Sequence, residues 1–265
     1  MTHAPFLRIR GVSKSFRTRR SWRNNWAREA PALTVLRDID LDLERGRTLA
    51  LVGPSGSGKT TLARCLAGFD TPDSGEITLG GNALAAIPRG RIQLIFQQPA
   101  ASLSPRFTAE ETVSEPLVIR KWGTKLSRRA KALELMETVG LLPADSAKLS
   151  TEFSGGERQR LAIARALALE PALLILDESF SSLDLPLQAQ IAELLFSLQA
   201  ARSLTYILIS HDLSLVGRLA DEIAVMDHGM MIERGSAADV MADPRFPVTR
   251  RLVEANRLLS LQEGV

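Results

Sequence analysis

A short glycine-rich stretch constrains the fold of this chain more than any other feature. Residues 53–60 read Gly-Pro-Ser-Gly-Ser-Gly-Lys-Thr, after an apolar run over 49–52 and before a helix-like run that ends at Leu66. A strand, a loop and a helix in this order turn several backbone N–H groups toward one anion, and the helix dipole adds to the attraction. The stretch therefore predicts a phosphate-binding loop for a nucleoside triphosphate.

The side chains of this loop have separate predicted roles. Lys59 would place its ammonium against the β- and γ-phosphates, and the Thr60 hydroxyl would hold Mg²⁺. The predicted nucleotide-binding residues of the loop are Gly53, Pro54, Ser55, Gly56, Ser57, Gly58, Lys59, Thr60 and Thr61. A Gly/Ser turn that matches by accident is the alternative, and the strand before and the helix after argue against it.

Composition limits the possible classes of protein. The chain has 265 residues and is 45% hydrophobic, which suits one large domain or one domain with an inserted subdomain. No apolar run approaches the length that spans a bilayer. Basic and acidic residues are nearly balanced, with a net charge of +3, so the composition does not indicate nucleic-acid binding and no nucleic-acid partner is expected. The Arg- and Trp-rich segment 17–28 is interpreted as a solvated loop rather than a surface for nucleic acid or lipid headgroups.

Cysteine usage points to a reducing compartment. Cys65 is the single cysteine, which excludes an internal disulfide and a four-cysteine metal or iron–sulfur site within one chain. A cytoplasmic location is the resulting default. Cys65 itself is interpreted as a small buried core residue of the helix that follows the phosphate loop.

The order of elements indicates an α/β fold. Buried strands alternate with helices after residue 166, which predicts a parallel sheet with helices on both faces. Residues 35–43 alternate apolar and acidic residues, as a half-exposed antiparallel strand does. Two helical patterns, 108–119 and 127–139, replace the strands in the middle of the chain. We expect a parallel-sheet core, an antiparallel β subdomain and an inserted helical subdomain.

Polar residues follow two buried strands of the predicted sheet. Asp177 and Glu178 come directly after the apolar run 173–176, and His211 follows the run 205–209. Ligands of parallel sheets lie at the carboxyl ends of the strands. There Asp177 would orient Mg²⁺, and Glu178, on the opposite face by strand alternation, would polarise an attacking water. His211 would donate to a γ-phosphate oxygen.

A second glycine pair predicts another anion-binding surface. Ser154, Gly155, Gly156 and Glu157 start a helix, with Ser154 as N-cap and Glu157 completing a capping box. Bare N–H groups at such a helix end leave room for a phosphate. A purely structural capping box explains the helix start but not the two glycines.

Along the chain, the order of the motifs is similar to that in the ATP-binding cassette (ABC) ATPases: residues 53–60, Gln97, 154–157, 173–178, 182–184 and His211. The resemblance covers about residues 6–260. The resemblance implies a P-loop NTPase cassette over 6–235, with a core of 6–97 and 167–235, a helical subdomain of 98–166 and a C-terminal helical tail of 236–265. It implies ATP and Mg²⁺ as cofactors and ATP hydrolysis as the activity. The catalytic residues would be Glu178 as general base, His211 as the γ-phosphate switch and Gln97. Thr60, Gln97 and Asp177 would hold Mg²⁺. Phe16, at the end of the first strand, would stack on adenine, with Trp22 or Trp26 as the alternatives.

The same resemblance gives the second anion-binding surface a role. In this family two cassettes dimerise head to tail, and each ATP lies between one phosphate loop and the partner's signature helix. Ser154, Gly155, Gly156 and Glu157 would contact the partner's ATP, and Ser182 and Asp184 would lie on the dimer seam. Glu157 stands where glutamine is commoner in the family, without touching the hydrolytic residues. The helical subdomain would receive a coupling helix from a membrane subunit.

Two further stretches are similar to those of the peptide/nickel importer branch of the ABC family. The first comprises residues 91–97 and 99–106, and the second is the tail 243–250, in which Val248 replaces the usual tyrosine. The branch implies an importer subunit for peptide, nickel or metal chelate on the cytoplasmic face of the inner or plasma membrane. Its partners would be a second ABC ATPase subunit, two transmembrane permease subunits and, indirectly, a periplasmic or lipid-anchored solute-binding protein. The alternative is a non-transport ABC ATPase of a phosphonate-breakdown complex.

Overall fold

The computed structural model describes residues 4–17, 32–96, 102–180 and 183–262. The strands are β1 (Leu7–Arg17), β2 (Ala32–Leu43), β3 (Thr48–Val52), β4 (Ser74–Leu79), β5 (Asn82–Ala83), β6 (Ile92–Ile95), β7 (Leu173–Asp177), β8 (Thr205–Ile209), β9 (Glu222–Asp227) and β10 (Met230–Ser236). The helices are α1 (Lys59–Leu66), α2 (Ala109–Ile119), α3 (Lys125–Thr138), α4 (Gly155–Leu167), α5 (Leu185–Arg202), α6 (Leu213–Leu219), α7 (Ala237–Ala242) and α8 (Pro247–Gln262). Segment 17–28, interpreted as a loop, lies outside the described residues except for Arg17.

The described chain forms two compact units. The first comprises the described residues of Met1–Arg45, Leu51–Ile87 and Glu222–Val265, and the second comprises Gly46–Ala50 and the described residues of Pro88–Asp221. The chain passes from one unit to the other within β3. The cassette and subdomain boundaries expected from the family resemblance stay a prediction.

The first unit contains an antiparallel sheet with the strand order β2-β1-β4-β5. Leu7 and Ile9 are fully buried, as the alternating pattern of β1 predicts. The sequence pattern predicts a strand over 7–12 only, but the pairing with β2 continues to Arg17, opposite Ala32. Register shifts between Ile9 and Ser15 break the alternation, so the polar run after Val12 does not look like a strand in the sequence.

The C-terminal tail of the first unit is attached through a buried carboxylate on β10. Glu233, 8% exposed, accepts the backbone N–H groups of Arg245 (2.9 Å) and Phe246 (3.3 Å) and the hydroxyl of Thr249. Burial alone would raise the pKa of Glu233, but these hydrogen bonds outweigh it and lower the pKa below its usual value. The stretch 243–250, noted in the sequence for its resemblance, thus has a structural role in holding the tail.

The second unit combines a parallel sheet with a helical layer. β6, β7 and β8 are parallel neighbours, and every residue of β7 and β8 is buried. Helices α2, α3 and α4 pack against one another. An ion pair joins two of them, since Arg165 of α4 donates from Nε (3.0 Å) and Nη2 (2.7 Å) to the same oxygen, Oε2, of Glu115 on α2. Between α3 and α4 the chain forms short 3-10 turns at Pro143–Ala147 and Ser150–Glu152.

Candidate nucleotide-binding site

The predicted phosphate loop lies in the first unit and joins β3 to α1. Gly58 is the N-cap of α1, has a φ of 106° and provides no side-chain cap. The first N–H groups of a helix have no partner inside the helix. Because glycine cannot cap them, the start of α1 can take an anion in place of a capping side chain. The exposed Thr60 lies in the same first turn.

Lys59 places a positive charge inside the loop. Its ammonium donates to the carbonyls of Gly53 (2.8 Å) and Pro54 (2.9 Å) and lies 3.3 Å from the Ser57 hydroxyl. The side chain is 7% exposed, so the charge is held close to the loop backbone rather than extended into solvent. A cation in this position adds to the helix dipole in attracting phosphate oxygens.

Neighbouring strands support this loop through contacts that have no local signal in the sequence. The N–H of Gly229, in the turn between β9 and β10, donates to the Ser57 carbonyl (3.1 Å). The Gly229 carbonyl accepts the N–H of Arg37 on β2 (2.8 Å). A Cβ at Gly58 would stand 2.8 Å from the Val35 carbonyl of β2. The turn and β2 therefore hold the loop in place, and the residues involved look like ordinary turn and strand residues in the sequence.

Phe16, the predicted adenine-stacking residue, lies near the end of β1 in the same unit as the phosphate loop. Its side chain is 39% exposed, and it pairs with Leu33 across the β1–β2 ladder. An exposed aromatic ring at a strand end can stack on a planar base.

Asp177 and Glu178 lie at the end of β7 in the second unit. Asp177 is the last strand residue and is 4% exposed. Glu178 has a φ of 46°, and its N–H donates to the Ile209 carbonyl (2.9 Å). The expectation that strand alternation sets the direction of the Glu178 side chain is wrong, because the backbone has left the extended conformation at this residue.

His211 lies close to Glu178, and the structure thus brings two predicted catalytic residues together. The distance from His211 Nδ1 to Glu178 Oε1 is 3.9 Å, which is longer than a direct hydrogen bond. The His211 side chain is 65% exposed, whereas that of Glu178 is 26% exposed. The imidazole is thus accessible to a ligand while the carboxylate is more sheltered. Gln97, the third predicted catalytic residue, lies outside the described residues.

The predicted capping box at the start of α4 is confirmed. The N–H of Ser154 donates to Glu157 Oε2 (2.8 Å), and the N–H of Glu157 donates to Ser154 Oγ (3.3 Å). The bonds to the backbone and hydroxyl of Ser154 lower the pKa of Glu157, which therefore stays ionised at neutral pH. This helix end carries an exposed serine and glycine beside a fixed negative charge.

The glycine pair at this helix start has a partly structural cause. A Cβ at Gly156 would stand 3.0 Å from Cδ2 of Leu187 on α5, whereas Gly155 would meet its nearest atom, of Leu183, at 3.9 Å. A side chain at Gly156 would therefore require the Leu187 side chain to shift by a few tenths of an ångström, whereas Gly155 keeps the helix end open. Asp184 caps α5, since its Oδ1 accepts the Leu187 N–H (3.0 Å). Ser182, the other predicted seam residue, lies outside the described residues.

The predicted burial of Cys65 in the core is confirmed. The side chain is fully buried in α1, and burial raises the pKa of the thiol to about 11. The thiol is therefore protonated and poorly nucleophilic at neutral pH. A redox role for Cys65 is not supported by this environment.

The loop, the capless helix start and the buried lysine define a P-loop nucleotide-binding protein. Comparison with protein families then places it more narrowly, because residues 36–181 match the ABC transporter family. The chain belongs to this family and is an ATPase of the ABC type. Among the described helices, none has the length and apolar character that crossing a membrane requires.

Relatives and solved structures agree with this assignment. A putative peptide import ATP-binding protein of Brucella ovis is 40% identical over 262 residues, covering 96% of this chain and 80% of the relative. A probable D,D-dipeptide transport ATP-binding protein of Escherichia coli K12 is 41% identical over 249 residues, covering 94% of this chain and 78% of the relative.

Two solved structures share the fold. The ATP-binding cassette MJ0796, a dimer bound to ADP and Pi, has a TM-score of 0.74 at 26% identity and covers 87% of this chain and 98% of its own. The protein cbiO1 of Clostridium perfringens, part of the cbiONQ ABC transporter complex, has a TM-score of 0.76 at 25% identity and covers 97% of this chain and 100% of its own. The predicted α/β cassette fold and the predicted family are confirmed.

Proposed function

We propose that the chain is the ATP-hydrolysing subunit of a peptide importer. The observation that carries the proposal is its identity of about 40%, over nearly its whole length, to relatives named for peptide and dipeptide transport. Nickel and metal chelates are the other solutes that the resemblance to the importer branch implies, but these relatives are named for peptides. None of them is named for phosphonate breakdown, so the alternative has no observation in its favour.

The phosphate loop of the first unit binds the triphosphate. Residues 53–61 supply backbone N–H groups and the N-terminus of α1, and Lys59 supplies the charge. The support is the uncapped helix start and an ammonium already held by loop carbonyls at 2.8 and 2.9 Å. Phe16 takes the adenine ring.

The site residues also fit Mg²⁺. Thr60 offers an exposed hydroxyl, and Asp177 offers a carboxylate at the end of a buried strand. Mg²⁺ binds oxygen and commonly takes one or two protein ligands beside substrate phosphates and water. Thr60, Asp177 and Gln97 are the residues that would hold it, and the bound cation would neutralise phosphate charge.

Glu178 accepts the proton of the attacking water, and His211 contacts the γ-phosphate. The support is their placement within 3.9 Å of each other at the ends of adjacent parallel strands. The exposed imidazole can reach a ligand, and the more sheltered carboxylate is suited to act as a base.

The second anion surface serves another copy or a paralogue of this chain. Ser154, Gly155, Gly156 and Glu157 present an open helix end to the partner's ATP, while Asp184 and Ser182 lie on the seam. ATP closes this dimer, and hydrolysis with product release reopens it. The dimer acts on two transmembrane permease subunits at the cytoplasmic face of the membrane, and the solute-binding protein acts on it indirectly.

Deleting the gene in its host tests this function. We expect uptake of radiolabelled di- and oligopeptides to fall to background and to return with the wild-type gene but not with Lys59→Ala. Radiolabelled nickel uptake, measured in the same strains, identifies the other solute of the branch. Unchanged peptide uptake in the deletion strain would contradict the proposal.

A further inference from the structure

Two exposed apolar side chains stand side by side at one end of the β1–β2 ladder. Phe16 and Leu33 are directly opposed in this antiparallel pair and are 39% and 62% exposed. Opposed residues of an antiparallel pair project from the same face of the sheet. Farther along the same strands, Val12 and Leu36 are fully buried, so the apolar exposure is confined to this end.

A fixed cation lies over the Phe16 ring. Lys14 Nζ is 5.4 Å from the ring centroid, within the range of a cation–π contact. It donates to the Thr71 carbonyl (2.7 Å) and to Asp73 Oδ1 (2.9 Å). Asp73 also accepts the Ser15 N–H (2.6 Å), which ties the carboxylate to β1. These contacts therefore hold the Lys14 ammonium in a fixed position.

The apolar pair lies close to the phosphate loop along β2. Leu33 precedes Val35 by two residues, a span of about 7 Å on a strand. The Val35 carbonyl lies 2.8 Å from the position of a Cβ at Gly58, the residue that begins α1. A ribose can bridge this separation between a base on the apolar pair and phosphates on the loop.

We propose that Lys14 and Leu33 are positioning residues for the adenine of ATP. Leu33 extends the apolar surface beside Phe16, and Lys14 fixes and polarises the ring, so that adenine stacks on the face away from the ammonium. The inference rests on the proposed nucleotide-binding function and adds to it two residues for the base. Each contact contributes about three- to tenfold in ATP affinity.

Inorganic tripolyphosphate separates the base contacts from the phosphate contacts. We compare the Kd values of ATP and tripolyphosphate, by calorimetry, for the wild type, Lys14→Met and Leu33→Ser. In both variants the Kd of ATP is expected to rise about three- to tenfold, and the Kd of tripolyphosphate is expected to stay the same. Lys14→Arg, which keeps the charge, is expected to restore ATP binding. In steady-state assays KM for ATP should rise while kcat stays the same.

Matched variants at other surfaces control for charge and for exposed apolar area. Lys131 pairs with Glu134 at 2.7 Å and is 20% exposed, against 16% for Lys14, so Lys131→Met removes a comparable ion pair. Leu258, 60% exposed on α8, matches Leu33, so Leu258→Ser is the second control. Neither control should change either Kd.

Three outcomes overturn the inference. If Lys14→Met binds ATP and tripolyphosphate more weakly by the same factor, Lys14 contacts the phosphates or supports the fold. If ATP binding is unchanged in both variants, Lys14 and Leu33 are not part of the site. A wild type that binds tripolyphosphate as tightly as ATP would eliminate the base platform but keep the phosphate loop. A wild type that binds neither ligand would instead refute the proposed nucleotide-binding function.

Discussion

Replacing Gly229 by alanine tests whether the β9–β10 turn supports the phosphate loop. Gly229 has a φ of 81° and follows His228 at 46°, so the pair forms a two-residue turn with positive φ at both positions. A Cβ at Gly229 would stand 2.5 Å from the Val35 carbonyl, the group that also lies beside Gly58. The added methyl group must therefore push the turn away from β2.

Gly81 provides a matched control for the backbone cost. It occupies the same place in the turn between β4 and β5, with a φ of 80° after Gly80 at 58°. A Cβ there would meet nothing within 4 Å. Alanine at either position costs about 1–2 kcal/mol for the positive φ, and only Gly229→Ala adds about 1–3 kcal/mol for the clash.

Urea unfolding followed by circular dichroism measures the stabilities, and calorimetry measures ATP binding. We expect Gly229→Ala to be less stable than Gly81→Ala by about 1–3 kcal/mol. ATP affinity should fall in Gly229→Ala, about tenfold for each 1.4 kcal/mol of strain that binding has to overcome, and stay unchanged in Gly81→Ala. Equal stability and equal ATP affinity in the two variants would refute the support that we assign to this turn.

Further expectations concern the catalytic base, the tail and the thiol. Glu178→Gln should bind ATP, hydrolyse it poorly and accumulate a dimer in light scattering; normal turnover would remove Glu178 from the base role. Thr249→Val should lose about 1.5–3 kcal/mol of stability at pH 7, because a buried carboxylate loses a charge-assisted hydrogen bond. Because the pKa of Glu233 is lowered on folding, the stability difference between wild type and Thr249→Val should have its full size above the unfolded pKa of about 4.3. It should shrink as the pH falls through the pKa of the folded protein. A stability difference that does not depend on pH would contradict this prediction. Cys65, with its raised pKa of about 11, should resist iodoacetamide until the protein is denatured, and rapid alkylation of the folded protein would show that the thiol is accessible.

Local sequence signals predicted the elements that depend on local physics. The continuous apolar run 205–209 forms β8 with the bounds that the sequence predicts. The capping box of α4 is present because it needs only residues that are three positions apart. Such features can be predicted because the interacting groups are neighbours in the chain.

The features that were missed depend on residues far apart in the chain. The extension of β1 to Arg17 follows from pairing with β2, and the tight space beside Gly156 follows from Leu187 on another helix. Glu178 has a positive φ at the point where its N–H donates to the Ile209 carbonyl of the neighbouring strand β8. A single sequence contains no local signal for these contacts, because each depends on tertiary structure.

The ionised Glu157 of the capping box has a consequence for how tightly two cassettes hold each other. Its carboxylate orders the first turn of α4, yet it places a negative charge beside the helix end that would receive a partner's phosphate. A neutral glutamine would keep a hydrogen bond there without the repulsion. If this helix end receives the partner's ATP, as proposed, the carboxylate of Glu157 weakens its attraction for phosphate relative to glutamine, so the closed dimer is expected to open more readily.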